Sequence, residues 1–349
     1  MRLRRYKRFL LLLLLPFGLL AALGLGYRQQ PEAQGDALAI WHKSLTQGAD
    51  APMRAEMTMT QRQHGRTLTT QAHVVQGARG RFRMEYILPV EARGRIVFSD
   101  GQTNWQYEPL QNLLAKTTLV PMSEQRDREV EALIESNYRM ALVSGRESIA
   151  GRSTYVMDLL PHHAGKSSQR RWIDKQTYKT LRVETHYTDG ILARMVTYDQ
   201  VTLPAVVAEA DFLPMQAKNM QVVSTPASSV NILTRAIPEQ FASLELKPEA
   251  ALGFQLIQVS SSEIDRLPAT QLLYSDGIET VSIFVQQGDQ AVLTVPANWK
   301  KLAIRNISVF ENIDGHLDAL TWIRNGRRYT AVSHLTPSAL QSFVTSQLP

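Results

Sequence analysis

Apolar and polar positions alternate with a period of two along much of the first half of the chain. Over residues 52–62, Ala55, Met57 and Met59 share one face, against Glu56, Thr58 and Thr60 on the other. His64-Gly65 then turns the chain into a second strand over 66–75. Residues 79–86 alternate more clearly still, with Arg79, Arg81, Arg83 and Glu85 facing one way and Phe82, Met84 and Tyr86 the other. Residues 95–99 and 103–107 form the next hairpin, because Asp100-Gly101 supplies the positive φ of a tight turn. Further strands are predicted over 153–160, 169–174, 180–188 and 191–199, the last two joined by Asp189-Gly190. Helical spacing occurs in two places. Leu38, Trp41 and Leu45 make a stripe over 36–47 behind a candidate cap at Asp36, and Val130, Leu133, Ile134 and Met140 make one over 124–143.

The pattern loosens over 205–250, where Pro214, Pro226, Pro238 and Pro248 fall at irregular intervals, and that stretch reads as a linker. Beyond it, strands are predicted over 254–260, 271–274, 279–286, 302–309, 317–323 and 328–334. Thr336-Pro337 opens a terminal helix as a cap with proline in the first turn. The expected organisation is α+β in two domains: a largely antiparallel sheet over 28–204 and a smaller α+β domain over 251–349.

Residues 1–27 follow a different rule. Arg2, Arg4, Arg5, Lys7 and Arg8 precede nineteen uncharged residues from Phe9 to Tyr27, the order of a secretory signal peptide or an uncleaved membrane anchor. Either one places the remainder outside the cytoplasm, on the periplasmic or extracytoplasmic side, and membrane association through residues 9–27 follows if the segment is retained. This accounts for most of the net charge of +6. Residues 28–204 hold 23 basic and 19 acidic groups and residues 205–349 hold 10 and 13, so the body is nearly neutral and nucleic acid is not an expected partner.

The 349 residues include no cysteine, which excludes disulfides, thiolate metal sites, cysteine nucleophiles and lipid attachment at an N-terminal cysteine. Gly165-Lys166-Ser167 resembles the end of a phosphate-binding loop, but Leu160 stands where that loop needs its first glycine. Adjacent His162 and His163 point to opposite sides of an extended chain and make a poor metal pair. No carboxylate pair is singled out by the sequence. A non-enzymatic protein with no cofactor and no metal is expected. The basic stripe Arg79, Arg81, Arg83, Arg93 and Arg95 reads as a solvated outer face. Met57, Met59, Phe82, Met84, Tyr86, Trp105 and Tyr107 are expected to converge on the opposite side of the sheet, as a closed core or as a face for an apolar ligand.

Two stretches resemble a known family. Arg83-Met84-Glu85-Tyr86, followed by Phe98-Ser99-Asp100-Gly101-Gln102-Thr103-Asn104-Trp105-Gln106-Tyr107-Glu108-Pro109, resembles the strands and turn of LolA-like lipoprotein carriers. Gly253-Phe254, Val259-Ser260-Ser261-Ser262 and the hairpin Leu273-Tyr274-Ser275-Asp276-Gly277 are similar to the C-terminal domain of MucB/RseB-type sigma-factor regulators. The resemblance implies a curved antiparallel half-barrel covered by helices over an apolar cavity, followed by a smaller domain. It also implies envelope-stress regulation, in which the protein binds the extracytoplasmic part of a membrane anti-sigma factor and responds to a lipid or acyl ligand. A carrier or chaperone for lipids or lipoproteins is the alternative that the same resemblance leaves open.

Overall fold

The computed structural model describes residues 34–63, 66–118, 124–213, 219–225, 231–264, 267–287, 298–312 and 318–349. The proposed signal or anchor and the His64-Gly65 turn therefore lie outside the described residues. The described residues group into two compact units, one ending with Thr225 and the other starting at Asn231.

The first unit opens with α1 (Gln34–Lys43), extended by a π-type turn over Ser44–Gly48. The strands β1 (Met53–Gln63), β2 (Arg66–Gln76), β3 (Phe82–Leu88), β4 (Ile96–Ser99), β5 (Thr103–Glu108) and β6 (Leu113–Thr118) follow as a meander. Next, α2 (Glu124–Asn137) precedes a second meander: β7 (Tyr138–Ile149), β8 (Arg152–Pro161), β9 (Ser168–Asp174), β10 (Thr180–His186) and β11 (Leu192–Thr202). Strand β12 (Gln221–Thr225) completes the sheet.

The order is β12-β6-β5-β4-β3-β2-β1-β11-β10-β9-β8-β7, so β1 and β11 join the two meanders at the centre. Every pairing is antiparallel except β12 with β6. The pairing register shifts at Glu56/Met57, Gln71/Ala72, Val143/Glu147 and Thr185/His186. Such bulges add local twist, which curves a sheet this wide.

The predicted second helix ends six residues early, at Asn137, and Tyr138–Val143 belongs to β7. Tyr138 and Met140 are buried while Arg139 is exposed, a pattern that continues the helical stripe and equally begins an alternating strand. Pairing decides between them, since Tyr138, Met140 and Leu142 lie opposite Pro161, Leu159 and Met157. The Asn137 amide donates to the Leu133 carbonyl at 2.9 Å and closes the last helical turn.

The second unit is an eight-stranded antiparallel sheet. Its strands are β13 (Asn231–Leu233), β14 (Gln255–Ile264), β15 (Leu267–Ser275), β16 (Thr280–Gln287), β17 (Lys300–Ile304), β18 (Ile307–Asn312), β19 (Asp318–Arg324) and β20 (Arg327–Ser333). The order is β13-β14-β15-β16-β20-β19-β18-β17. The span predicted as one strand over 302–309 is a hairpin, turned at Arg305 and Asn306, both of positive φ. Helix α3 (Pro337–Gln347) starts as predicted, with Thr336 Oγ1 accepting from the Ala339 N–H. It seats Phe343 edge-on against Phe254 and Tyr274 in a core shared with Trp322 and Tyr329. Of the stretch that reads as a linker, Gln221–Thr225 pairs within the first sheet and Asn231–Leu233 within the second.

Candidate functional site

Cross-strand partners share a face of a sheet, so the register places each predicted site residue. Met57 lies opposite Ala72, and Ala72 opposite Tyr86; Ala55, Val74, Met84 and Val97 form the neighbouring row. Met57 and Met84 are buried at 7% and 4% exposure, while Met59 and Tyr86 are half-buried and pack on the same cluster. Phe82 shares this face through its pairing with Gln76 and Ser99. Five of the seven predicted residues therefore share one face, and four of them, all but Phe82, pack in one cluster.

Trp105 and Tyr107 do not. Trp105 pairs with Phe98 and Tyr107 with Ile96, and these lie opposite Arg83 and Glu85 rather than Met84. With Leu114 they form a separate cluster on the opposite face. The Lys116 ammonium lies 5.1 Å from the Trp105 ring centre, and the Arg83 guanidinium 5.8 Å from that of Phe98. The expectation of a single converging face assumed that β5 presents its aromatics to the same side as β3, and the pairing through β4 puts Asn104 and Gln106 there instead.

The basic stripe divides in the same way. Arg95 shares the methionine face, is 8% exposed, and pairs through Nε with Glu108 at 2.7 Å beside the Tyr86 ring. It is a buried ion-paired group, not a solvated outer charge. Burial raises the Tyr86 phenol above its ordinary pKa, and the Arg95 charge opposes that rise. Arg81 pairs with Glu209 and covers the Phe212 ring.

The methionine face continues across β11, β10 and β9. Met59 lies opposite Val196, Val196 opposite Val183, Val183 opposite Arg171, and Arg171 opposite Met157. Sequence reasoning had not singled out Arg171. Its neighbour Arg170 points the other way and forms a two-pronged pair with Asp158, at 2.7 and 2.9 Å. Arg171 is 3% exposed, and its Nε and Nη2 have no hydrogen-bond partner among the described residues. The guanidinium carbon sits 4.3 Å from the ring centre of Trp41 on α1, a residue with no exposure whose own Nε1 also lacks a partner. A desolvated cation–π contact offsets about 2 kcal/mol, against several kcal/mol for burying an ion. Burial accordingly pushes the Arg171 pKa down to about 9. The only sequence signal was one of two adjacent arginines falling at the apolar phase of an alternating strand.

In the second unit, Tyr274, Ser275, Asp276 and Gly277 use their polar groups internally. Asp276 Oδ1 accepts from the N–H groups of Ile278 and Glu279 at 2.8 and 2.7 Å, Ser275 Oγ accepts from the Gly277 N–H, and Tyr274 donates to the Lys247 carbonyl. Gly277 has φ +98°, which favours glycine. These residues build a turn. His163 Nε2 lies 3.1 Å from Asn137 Oδ1, and Lys166 is buried over the Tyr138 ring immediately before β9.

The sequence model of the MucB/RseB N-terminal domain matches residues 56–244. Among the solved structures that share the fold are three of MucB. The complex of MucA and MucB from Pseudomonas aeruginosa is 16% identical, covering 90% of this chain and 99% of that one at a TM-score of 0.56. MucB in complex with MucA(peri) gives the same identity and coverage with a TM-score of 0.55. MucB alone is 16% identical, with 89% and 97% covered and a TM-score of 0.52. No curated protein matches the sequence.

Proposed function

The chain belongs to the MucB/RseB family, and on that premise we propose that it is a non-enzymatic extracytoplasmic regulator that binds the extracytoplasmic part of a membrane anti-sigma factor. The observation that carries this reading is the family match over residues 56–244. The similarity in fold to MucB, itself solved in complex with MucA, supports it. The basic then apolar order of residues 2–27 supports export, as a cleaved signal or a retained anchor.

An apolar lipid or acyl ligand is the second part of the proposal. Its support is the methionine face, where Met57, Met59 and Met84 offer unbranched, polarisable side chains that adapt to irregular guests. The ligand regulates only if it has different affinities for the partner-bound and partner-free protein, because coupling between two sites is a difference of binding free energies. Capture from detergent-solubilised envelope of the source organism tests the proposal. Recovery of one single-pass anti-sigma factor supports regulation. Recovery of lipid with no such protein supports the carrier reading and overturns this one.

A further inference from the structure

Buried donors without acceptors are rare, because each costs the hydrogen bond it made to water. The methionine face holds three close to one another: Nε and Nη2 of Arg171, and Nε1 of Trp41. Two of them belong to a group carrying a full positive charge, and no ion pair to Arg171 occurs among the described residues. Gln169, two positions earlier and on the same face, is 1% exposed and its amide oxygen has no partner among the described residues. The same strand shows what a satisfied arginine looks like, since Arg170 is clamped by Asp158. Arg171 is therefore an interior cation held in place by an aromatic ring, with donors left over.

Its position on the sheet narrows what those donors fit. Met59, on β1, is three strands away along one continuous row, which at the ordinary strand spacing is about 14 Å. The residues between are Val196 and Val183, both apolar and buried. A molecule lying along that row meets hydrocarbon for its length and a guanidinium at one end. We infer that Arg171, with Trp41, receives the oxyanion head of an acyl chain whose tail lies on the Met59, Met57 and Met84 surface. A carboxylate or phosphate oxygen supplies the acceptors that both side chains lack, and charge-assisted bonds of this kind are the strong ones. This inference rests on the apolar-ligand part of the proposal above and adds the head group and its receptor.

The test uses two fluorescent probes that differ only in charge, cis-parinaric acid and its methyl ester, titrated into the exported protein after removal of co-purified lipid. The acid is expected to bind at least about tenfold more tightly than the ester. Arg171→Met should remove that preference and leave ester binding unchanged, whereas Arg171→Lys, which keeps a cation, retains part of it. Displacement of the probe by palmitate, by lysophosphatidate and by neutral monopalmitoylglycerol separates the sources of the anion. Either anion outcompeting the neutral lipid supports the inference, and the stronger of the two identifies the head group.

Equal binding of acid and ester by the wild-type protein overturns the inference while leaving the apolar-ligand reading intact. Failure of both probes to bind overturns both. Thermal melting of lipid-free protein guards against a purely structural role. Removing an unpaired buried charge should leave the melting temperature of Arg171→Met unchanged or raised, and a lowered value would mean that Arg171 stabilises the fold rather than awaiting a ligand.

Discussion

Trp105 stacks on Phe98 across the β4–β5 pair, with ring centres 6.0 Å apart and planes within 5° of parallel. Because Phe98 pairs with Arg83 while Met84 pairs with Val97, the stack lies on the opposite side of the sheet from the methionines. The two aromatics and the methionines therefore have separable roles. Met84→Ser should weaken binding of cis-parinaric acid by about tenfold, since burying a methionine side chain is worth roughly 1.5–3 kcal/mol. Trp105→Ser should leave that affinity unchanged while lowering stability. Fluorescence titration of the two variants, with circular dichroism to confirm folding, distinguishes them; equal loss in both would return Trp105 to the ligand face.

Asp174 is 1% exposed and is held by Arg152 through two hydrogen bonds of 2.8 and 3.0 Å, by the Thr177 hydroxyl, and by the N–H groups of Gln176 and Thr177. Burial pushes its pKa up, but the Arg152 and Thr177 hydrogen bonds outweigh that and hold it below the usual carboxylate value. A depressed carboxyl pKa contributes stability that is complete above the unfolded value of about 4 and is lost as pH falls through the folded value. Asp174→Asn should cost roughly 3 kcal/mol at pH 7, because Arg152 is left without its charge partner. The variant should also lose less stability than wild type on going to pH 3. Urea unfolding at both values reads the difference.

Lys179 is buried, with Nζ donating to the Ala49 carbonyl at 3.1 Å. Desolvation lowers its pKa to about 8, partly countered by Asp50. Between that value and the unfolded value near 10.5 the unfolded chain binds the extra proton, so stability rises with pH across this window. Wild type should gain up to roughly 2 kcal/mol between pH 8 and 10, and Lys179→Met should show a smaller gain. A stability curve that falls over this range would contradict the assignment.

Gly48, the last residue of the π-type turn that follows α1, packs against the turn before β10. A Cβ there would stand 2.1 Å from the Tyr178 carbonyl oxygen, which is backbone and cannot swing aside. Gly48→Ala should therefore destabilise the first unit by roughly 1–3 kcal/mol, and thermal melting measures it.

Much of the strand content was legible because half-buried antiparallel strands alternate, and the sequences of β1 and β3 do so plainly. What pattern alone could not supply was register. Whether Trp105 faces Met84 depends on how β4 pairs with both neighbours, and no property of residues 103–107 encodes it. Tyr138–Val143 satisfied the helical and the strand period together, so the end of α2 was set by pairing with β8. Strands β6 and β12 carry little alternation, and their pairing defines them: β6 lies antiparallel to β5, and β12 adds parallel to the free edge of β6. The interior role of Arg171 was hidden for a related reason, since an arginine beside an arginine on a strand reads as a charged surface until the phase of the strand is known.

The central claim is that this chain binds the extracytoplasmic segment of a single-pass anti-sigma factor without chemistry. Calorimetric titration of the exported protein with that purified segment, from the anti-sigma factor of the same organism, tests it most directly. The account predicts a saturable one-to-one complex with a dissociation constant of about 1 μM or tighter, weakened when cis-parinaric acid is present. Absence of saturable binding, with lipid-free and lipid-loaded protein alike, would contradict it.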